Sequence, residues 1–270
     1  MYPSLPKSYK GVYPFKLGTT SFIYPDGYAQ NVNMLAPYVD EIELLLFESA
    51  PDSLPSTQEI KTLLSLSTEF DLTYNVHLPY DISLSDPDPS IRHRAVETLK
   101  KVMDLTAPLS PSTCTLHLSY DEQESEADRI KKWQERLYQS VGQFVATGIT
   151  PEMISVETLT YPMEWVENIL NDFNLSVCMD LGHLMVHGFH METVFNRYCH
   201  RTSIIHLHGV ENHKDHLPLN RLSTERSKVV RRILKRFTGV VSLEVFSYQH
   251  LKDSLPFLEI LWNKSLDNDS

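Results

Sequence analysis

The sequence predicts a single α/β domain folded as a (β/α)₈ barrel. Three observations carry this. Short β-like runs alternate with amphipathic helical stretches along nearly the whole chain, which implies a parallel sheet. There are about eight such β-α units of roughly 34 residues each, and 270 residues is near the size of a closed barrel. Most of the β-like runs end in His, Glu or Asp, as strands do when their C-terminal ends surround one site. No linker, low-complexity block or repeat divides the chain. A doubly wound open sheet is the alternative architecture.

Residues 1–14, rich in Pro, Tyr and Lys, read as an extended arm, and residues 15–270 as the barrel domain. The first strand covers 15–23 and is broken by Tyr24-Pro25-Asp26-Gly27; a short helix follows over 31–39. The second strand, 41–47, runs into an acidic, Pro-broken loop. Thr57 then caps a helix to about residue 70, with Ile60, Leu63, Leu64 and Leu66 apolar. The third strand, 72–78, carries Asn75 and His77 at period two. A helix from Pro89 to about residue 109 uses proline where its missing N–H would have had no partner.

The fourth strand, 113–118, carries Thr115 and His117 on one face. A long helix over 124–147 has the apolar stripe Ile130, Trp133, Leu137, Val141, Phe144 and Val145. The fifth strand, 153–159, has Ser155 and Glu157 in phase, and Pro162 opens a helix to about residue 173. The sixth, 175–180, has Cys178 and Asp180 in phase, with a helix over 191–201. The seventh, 203–210, holds His206 and His208. The loop ENHKDHLPLN and a basic helix over 224–237 follow. The eighth, 239–246, carries Ser242 and Glu244, and a last helix over 248–262 is expected to break or kink at Pro256.

Composition narrows the function classes. The net charge is −11, and a chain this acidic is poorly suited to a phosphate backbone, which needs clustered Lys and Arg. Cys114, Cys178 and Cys199 have no framework spacing and read as small buried hydrophobes in a reducing cytoplasm. The first residues hold no apolar core of a signal peptide, and no apolar run approaches the roughly 20 residues that span a bilayer.

Side chains two apart on a strand share a face. His77, His117, Glu157, Asp180, His206 and Glu244 lie at or near the ends of strands three to eight, so they should converge on one axis. Asp180 is joined by His183 three residues on. Such carboxylates and imidazoles repel or are desolvated at high cost unless a cation sits among them. Mixed His and carboxylate ligands suit Zn²⁺, Mn²⁺ or Fe²⁺ better than Ca²⁺, and there is room for two or three ions. Ions about 3.5–4 Å apart can together activate a water and stabilise a phosphate leaving oxygen. His208 has the right phase but lies a layer beyond His206. His187, His190, His200 and His250 read as surface or packing residues. Arg92, Arg94 and Arg221 are candidates to hold a phosphate. Tyr24, Phe47, Tyr80 and Tyr161 follow strands and are candidates for a wall against a flat ring.

This ring resembles the xylose isomerase-like barrels and, within them, the endonuclease IV branch with its trinuclear zinc site. By that resemblance His77, His117 and Glu157 would hold one ion. Glu157, Asp180, His206 and Glu244 would hold a second, with Glu157 as the bridge. His183, Asp215 and His216 would hold a third. The family places its last acid and His two apart, whereas Asp215 and His216 are adjacent and His213 competes.

A closer resemblance covers nearly the whole chain. The segments LGTTSFIYP, NVNMLAPYVDEIELLLFES, YNVHLPYDISL, LHLS, DLGHL and HLHGVENHKDHLPL look like the cobamide-remodelling phosphodiesterases of the CbiR type. That resemblance implies a metal-dependent hydrolase that cuts the phosphoribosyl linkage of the cobamide nucleotide loop. Zn or Mn would be the cofactor, and Glu157 and Glu244 the catalytic residues. Tyr24, Arg92, Arg94 or Arg221 would bind substrate. Three rivals differ in prediction. An abasic-site endonuclease needs cations where Asp26, Glu48 and Asp52 stand. A sugar isomerase or epimerase would use Glu157, Asp180, His206 and Glu244 around one ion. A corrinoid binder without turnover would show an incomplete ligand set.

Overall fold

The computed structural model describes residues 2–120 and 126–264. Eight parallel strands close a barrel: β1 (Lys16–Thr20), β2 (Glu41–Leu45), β3 (Thr73–His77), β4 (Cys114–Leu116), β5 (Ile154–Glu157), β6 (Ser176–Asp180), β7 (Thr202–Leu207) and β10 (Val240–Leu243). β1 pairs with β2 on one side and β10 on the other, so the first and last strands seal the sheet. An antiparallel hairpin, β8 (Gly209–Glu211) with β9 (Lys214–Leu217), stands apart from the barrel sheet.

The strands are buried on both faces, and their alternation sorts two environments. Val76, Leu116, Val156, Met179, Ile205 and Leu243 face outward into the apolar layer beneath the helices. Each such side chain contributes about 1.5–3 kcal/mol when fully buried. The other phase fills the interior with polar groups: Glu41, Glu43, Asn75, Thr115, Ser155, Asp180 and Ser242 are each fully buried. Near the N-terminal floor, Glu41 accepts hydrogen bonds from Asn75 at 3.0 Å and Ser112 at 2.6 Å.

The outer layer comprises α1 (Tyr28–Leu35), α2 (Thr57–Phe70), α3 (Pro89–Thr106), α4 (Ala127–Val145), α5 (Glu167–Asp172), α6 (Leu181–Val186), α7 (Met191–Tyr198), α8 (Thr224–Leu234) and α9 (Tyr248–Asn263). Ser56 and Glu59 form a reciprocal capping box on α2, and Asp88 caps α3 ahead of Pro89.

Several boundaries differ from the sequence reading for local reasons. α1 begins at Tyr28, not Asn31, and the Asn31 side chain, in its first turn, faces inward and accepts the Ile23 and Tyr24 N–H groups at 3.0 and 2.8 Å. The expected start of α4 at residue 124 lies outside the described residues. Residues 162–173 hold a 3₁₀ turn (Met163–Val166) before α5. α9 runs unbroken through Pro256. The segment read as a loop after β7 is the hairpin. Its two turn residues, Asn212 and His213, have φ of 52° and 60°, the left-handed pair of a tight type I′ connection. Residues 2–14 form no helix or strand, yet Leu5, Tyr9 and Tyr13 are buried in the core.

Candidate metal centre

The centre lies at the C-terminal ends of the barrel strands. Register does the first positioning: Asp180, His206 and Ser242 are direct neighbours across β6, β7 and β10. β6 runs straight into α6, where Asp180 also acts as N-cap, its Oδ1 accepting the His183 N–H at 2.6 Å. One short segment thus delivers an acid and a histidine together.

Among the described residues, three groups made only of His and carboxylate ligand atoms converge, each within 4.8 Å: His77, His117 and Glu157; Glu157, Asp180, His206 and Glu244; and Asp180, His183, His208 and His216. Glu157 belongs to the first two and Asp180 to the last two. Glu157 Oε2 lies 2.9 Å from His117 Nε2 and 3.3 Å from His77 Nε2, while Oε1 lies 3.1 Å from His183 Nδ1. The ion-pair partners of Glu157, Asp180 and Glu244 among the described residues are histidines.

The hydrogen bonding fits a cation. His77 Nδ1 lies 3.0 Å from the Leu78 carbonyl, which can only accept, so in the neutral ring Nε2 turns a lone pair toward Glu157. His206 is fully buried; its Nε2 faces Glu43 Oε1 at 2.9 Å as an ion-pair contact, and its Nδ1, on the side of the centre, makes no hydrogen bond. Its Nδ1 stands 3.2 Å from Glu244, 3.8 Å from Glu157 and 4.0 Å from Asp180, and Glu244 Oε2 is likewise without a hydrogen bond. Unbonded buried nitrogen and oxygen lone pairs aimed at one point are what a divalent ion would satisfy.

In the protein alone, protons do part of this work. Burial opposes the charge on Glu157, but His117, His183 and His77 hold its carboxyl well below the usual range. Burial opposes it on Glu244 too, and His206 and His216 hold it down. Burial would depress His183 and His216. Asp180 with Glu157 lifts the first to about 11, and Glu244 with Asp180 lifts the second to about 9. Cys178 is in reach of Glu157 and His206, but burial pushes its thiol up, which keeps it protonated.

The structure places the remaining candidates as follows. Asp215 does not join the third group: its side chain is 39% exposed and lies 3.2 Å from His216 Nδ1. His208 stands there instead, fully buried, with Nε2 3.2 Å from Asp180. Its Nδ1 accepts the His216 backbone N–H at 2.9 Å, and an amide can only donate. Neutral His208 therefore carries its hydrogen on Nε2 and donates to Asp180, which makes it a support for that carboxylate more than a free ligand. Its ring rests against Gly182, where a Cβ would lie 1.8 Å from Cε1.

Arg92 donates to the Asp86 and Pro87 carbonyls and Arg94 to Ser90 Oγ. Arg221 faces Glu211 at 4.0 Å beside the hairpin. Tyr24 is buried, donates to the Pro3 carbonyl and stacks on Tyr248. Tyr161 is buried with its hydroxyl on the Leu118 carbonyl. These five side chains are engaged elsewhere than on the metal centre. Sequence reasoning missed Glu43. It is fully buried, its Oε1 lies 2.9 Å from His206 Nε2, and its Oε2 accepts from Ser242 Oγ at 2.7 Å. A carboxylate behind a ligating imidazole fixes the ring's orientation. The available signal was the pair Glu41 and Glu43 at period two in an otherwise apolar strand.

No helix among the described residues is long and apolar enough to cross a membrane. No protein of curated function matches the chain by sequence. Solved structures similar in fold include a D-tagatose 3-epimerase-like protein, 17% identical, covering 92% of this chain and 97% of that one with a TM-score of 0.75. An L-ribulose 3-epimerase is 15% identical over 92% of this chain and 94% of its own, with a TM-score of 0.70. The 3-keto-D-glucoside 4-epimerase from E. coli is 13% identical over 91% and 99%, with a TM-score of 0.70. At these identities the likeness shows the fold alone. The model of the xylose isomerase-like TIM barrel family matches residues 39–261. With that match and the closed eight-stranded barrel, the chain belongs to the xylose isomerase-like TIM barrel family.

Proposed function

We propose that this protein is a metal-dependent phosphodiesterase acting on a bulky small molecule, namely a cobamide cut at its phosphoribosyl linkage. The observation that carries the reading is Glu157, shared between the His77–His117 group and the Asp180–His206–Glu244 group. A bridging carboxylate between two sites suits in-line displacement at phosphorus, whereas an isomerase working around one ion needs no second ligand set such as His77 and His117. The cobamide itself is supported by the sequence resemblance.

Divalent ions, when bound, supply positive charge to the phosphoryl oxygens and make water a usable nucleophile at neutral pH. The chain's own residues set the geometry. Glu157 would be shared by the first two sites, with His77 and His117 on one side of it. Glu43, anchored by Ser242, holds the His206 ring from behind, and His208 holds Asp180. Glu244 closes the second site against His206 and His216. Cys178 lies beside His206, but burial keeps its thiol protonated, so attack by water on phosphorus is the chemistry these groups favour.

The test is incubation with a cobamide and Mn²⁺ or Zn²⁺ in heavy-oxygen water. The expected products are the free α-riboside of the lower ligand and cobinamide phosphate, with the label in the phosphate. Cobyric acid as product, or label in the riboside, would overturn the reading. A second reading is favoured by the sugar epimerases among the structural neighbours: a ketose epimerase using Glu157, Asp180, His206 and Glu244 around one ion. Epimerisation of D-tagatose or L-ribulose, with no cobamide cleavage, would establish it in place of the first.

A further inference from the structure

A cavity of about 500 Å³ opens beside the metal centre, walled by Phe22, Phe47, Tyr80 and Phe246. Its rings are unusually open to solvent: Phe22 is 59% exposed, Tyr80 50% and Phe246 36%. Other exposed large apolar residues, such as Val12, Leu64 and Ile260, belong to separate elements and do not line this cavity.

The wall is continuous with the ligand groups. Phe47 stands edge-on to His77 with centroids 4.9 Å apart, and Tyr80 lies over His117 at 5.8 Å and 24°. Phe246 lies over His216 at 4.9 Å and 26°. A molecule reacting at the centre therefore has an aromatic surface on both sides of it. The size falls in the range of small-molecule sites, and partly exposed aromatic faces are surfaces on which a flat ring stacks.

The polar lining decides which ring. Tyr28 spends its hydroxyl on the Leu45 and Ser53 carbonyls. Glu48 is the carboxylate on the wall, and its Oε2 accepts from Ser53 Oγ at 2.8 Å. Its charge repels an anion and favours a ring bearing an N–H or a positive charge, while aromatic faces also attract cations.

We propose that this cavity holds a planar, neutral or cationic heteroaromatic ring of the substrate, stacked among Phe22, Tyr80 and Phe246, and that Glu48 rejects anionic rings. It rests on the phosphodiesterase reading in assigning that ring to the nucleoside arm of the scissile linkage. The phosphate then points toward the histidines and away from Glu48.

The test measures binding directly, by calorimetric titration of the metal-loaded protein with a benzimidazole riboside, a methyl riboside and a carboxylated benzimidazole riboside. The benzimidazole riboside should bind. The methyl riboside should not, and the carboxylated ring should bind about tenfold more weakly. Phe22→Ala and Tyr80→Ala should each weaken the benzimidazole riboside about tenfold and raise KM without lowering kcat, the loss of one stacking contact. Both side chains are at least half exposed, so the melting temperature should hold, confirming a folded protein. Glu48→Gln should erase the discrimination against the carboxylated ring. Equal binding of the ringless riboside, or unchanged affinity in both alanine variants, overturns the proposal. If the ring binds as expected and no cobamide is cleaved, the cavity assignment stands and the phosphodiesterase reading falls. If cobamide is cleaved and the alanine variants change neither KM nor affinity, the cavity assignment alone falls.

Discussion

Gly182 shows how tightly the centre is specified by single residues. Any side chain there collides with the His208 ring, so Gly182→Ala must push that ring off Asp180. The expected outcome is loss of at least one ion per chain by elemental analysis, and an unchanged ion count would refute the supporting role. Glu157→Gln should cost more activity than His208→Ala, because Glu157 serves two groups of ligands while His208 supports one carboxylate. Comparable losses would sink that ranking. The titration of the histidines gives a pH test. Despite burial, neighbouring carboxylates raise His183 to about 11 and His216 to about 9. Both are raised above the unfolded value near 6.5, so their stabilisation is complete below about pH 6.5 and is lost as pH rises through about 9 and then about 11. Melting of chelated protein should therefore fall over that window, and metal-loaded protein should fall less, because ions replace the protons. At this scale the sequence was informative where one side chain per strand end had to face inward, as with His77, Glu157 and Asp180. It was silent on Glu43, because position on a buried strand does not say that an acid stands behind a particular imidazole. Nor could spacing weigh His208 against Asp215, since only the hairpin's fold turns one inward and the other out.

Elements were legible where periodicity persists over many residues. The stripe through Trp133, Leu137, Val141 and Phe144 lies buried on α4, and the strand alternation reappears as the barrel's two faces. Short elements set by one or two backbone angles were not. The β8–β9 hairpin depends on left-handed Asn212 and His213, and an Asn-His pair announces that turn less clearly than Asn-Gly would. α6 is missing from the reading because its cap, Asp180, looked only like a strand end. Helix caps remote from the centre give a control: Ser56→Ala should lower stability by about 1 kcal/mol in denaturant titrations and leave the ion count unchanged. A change in ion count would mean that α2 communicates with the centre.

For the whole molecule, two predictions concern partners. Chelation should abolish activity, and two or three equivalents of Zn²⁺ or Mn²⁺ should restore it; full activity in metal-free protein would refute the centre. With a net charge of −11 and Glu48 on the cavity wall, duplex DNA should not bind at physiological salt, as a gel-shift titration would show. Cleavage of an abasic duplex at a rate matching the best small molecule would reverse this. The seal between β1 and β10 carries a consequence for biosynthesis. Lys16 pairs with Val240, and the candidate ligands come from the strand ends of β3 through β7, from α6, from the hairpin and from Glu244 just after β10. A chain emerging from the ribosome thus holds isolated histidines and carboxylates for most of its synthesis. A metal held at this centre would therefore be selected by the finished barrel, after translation has passed Glu244.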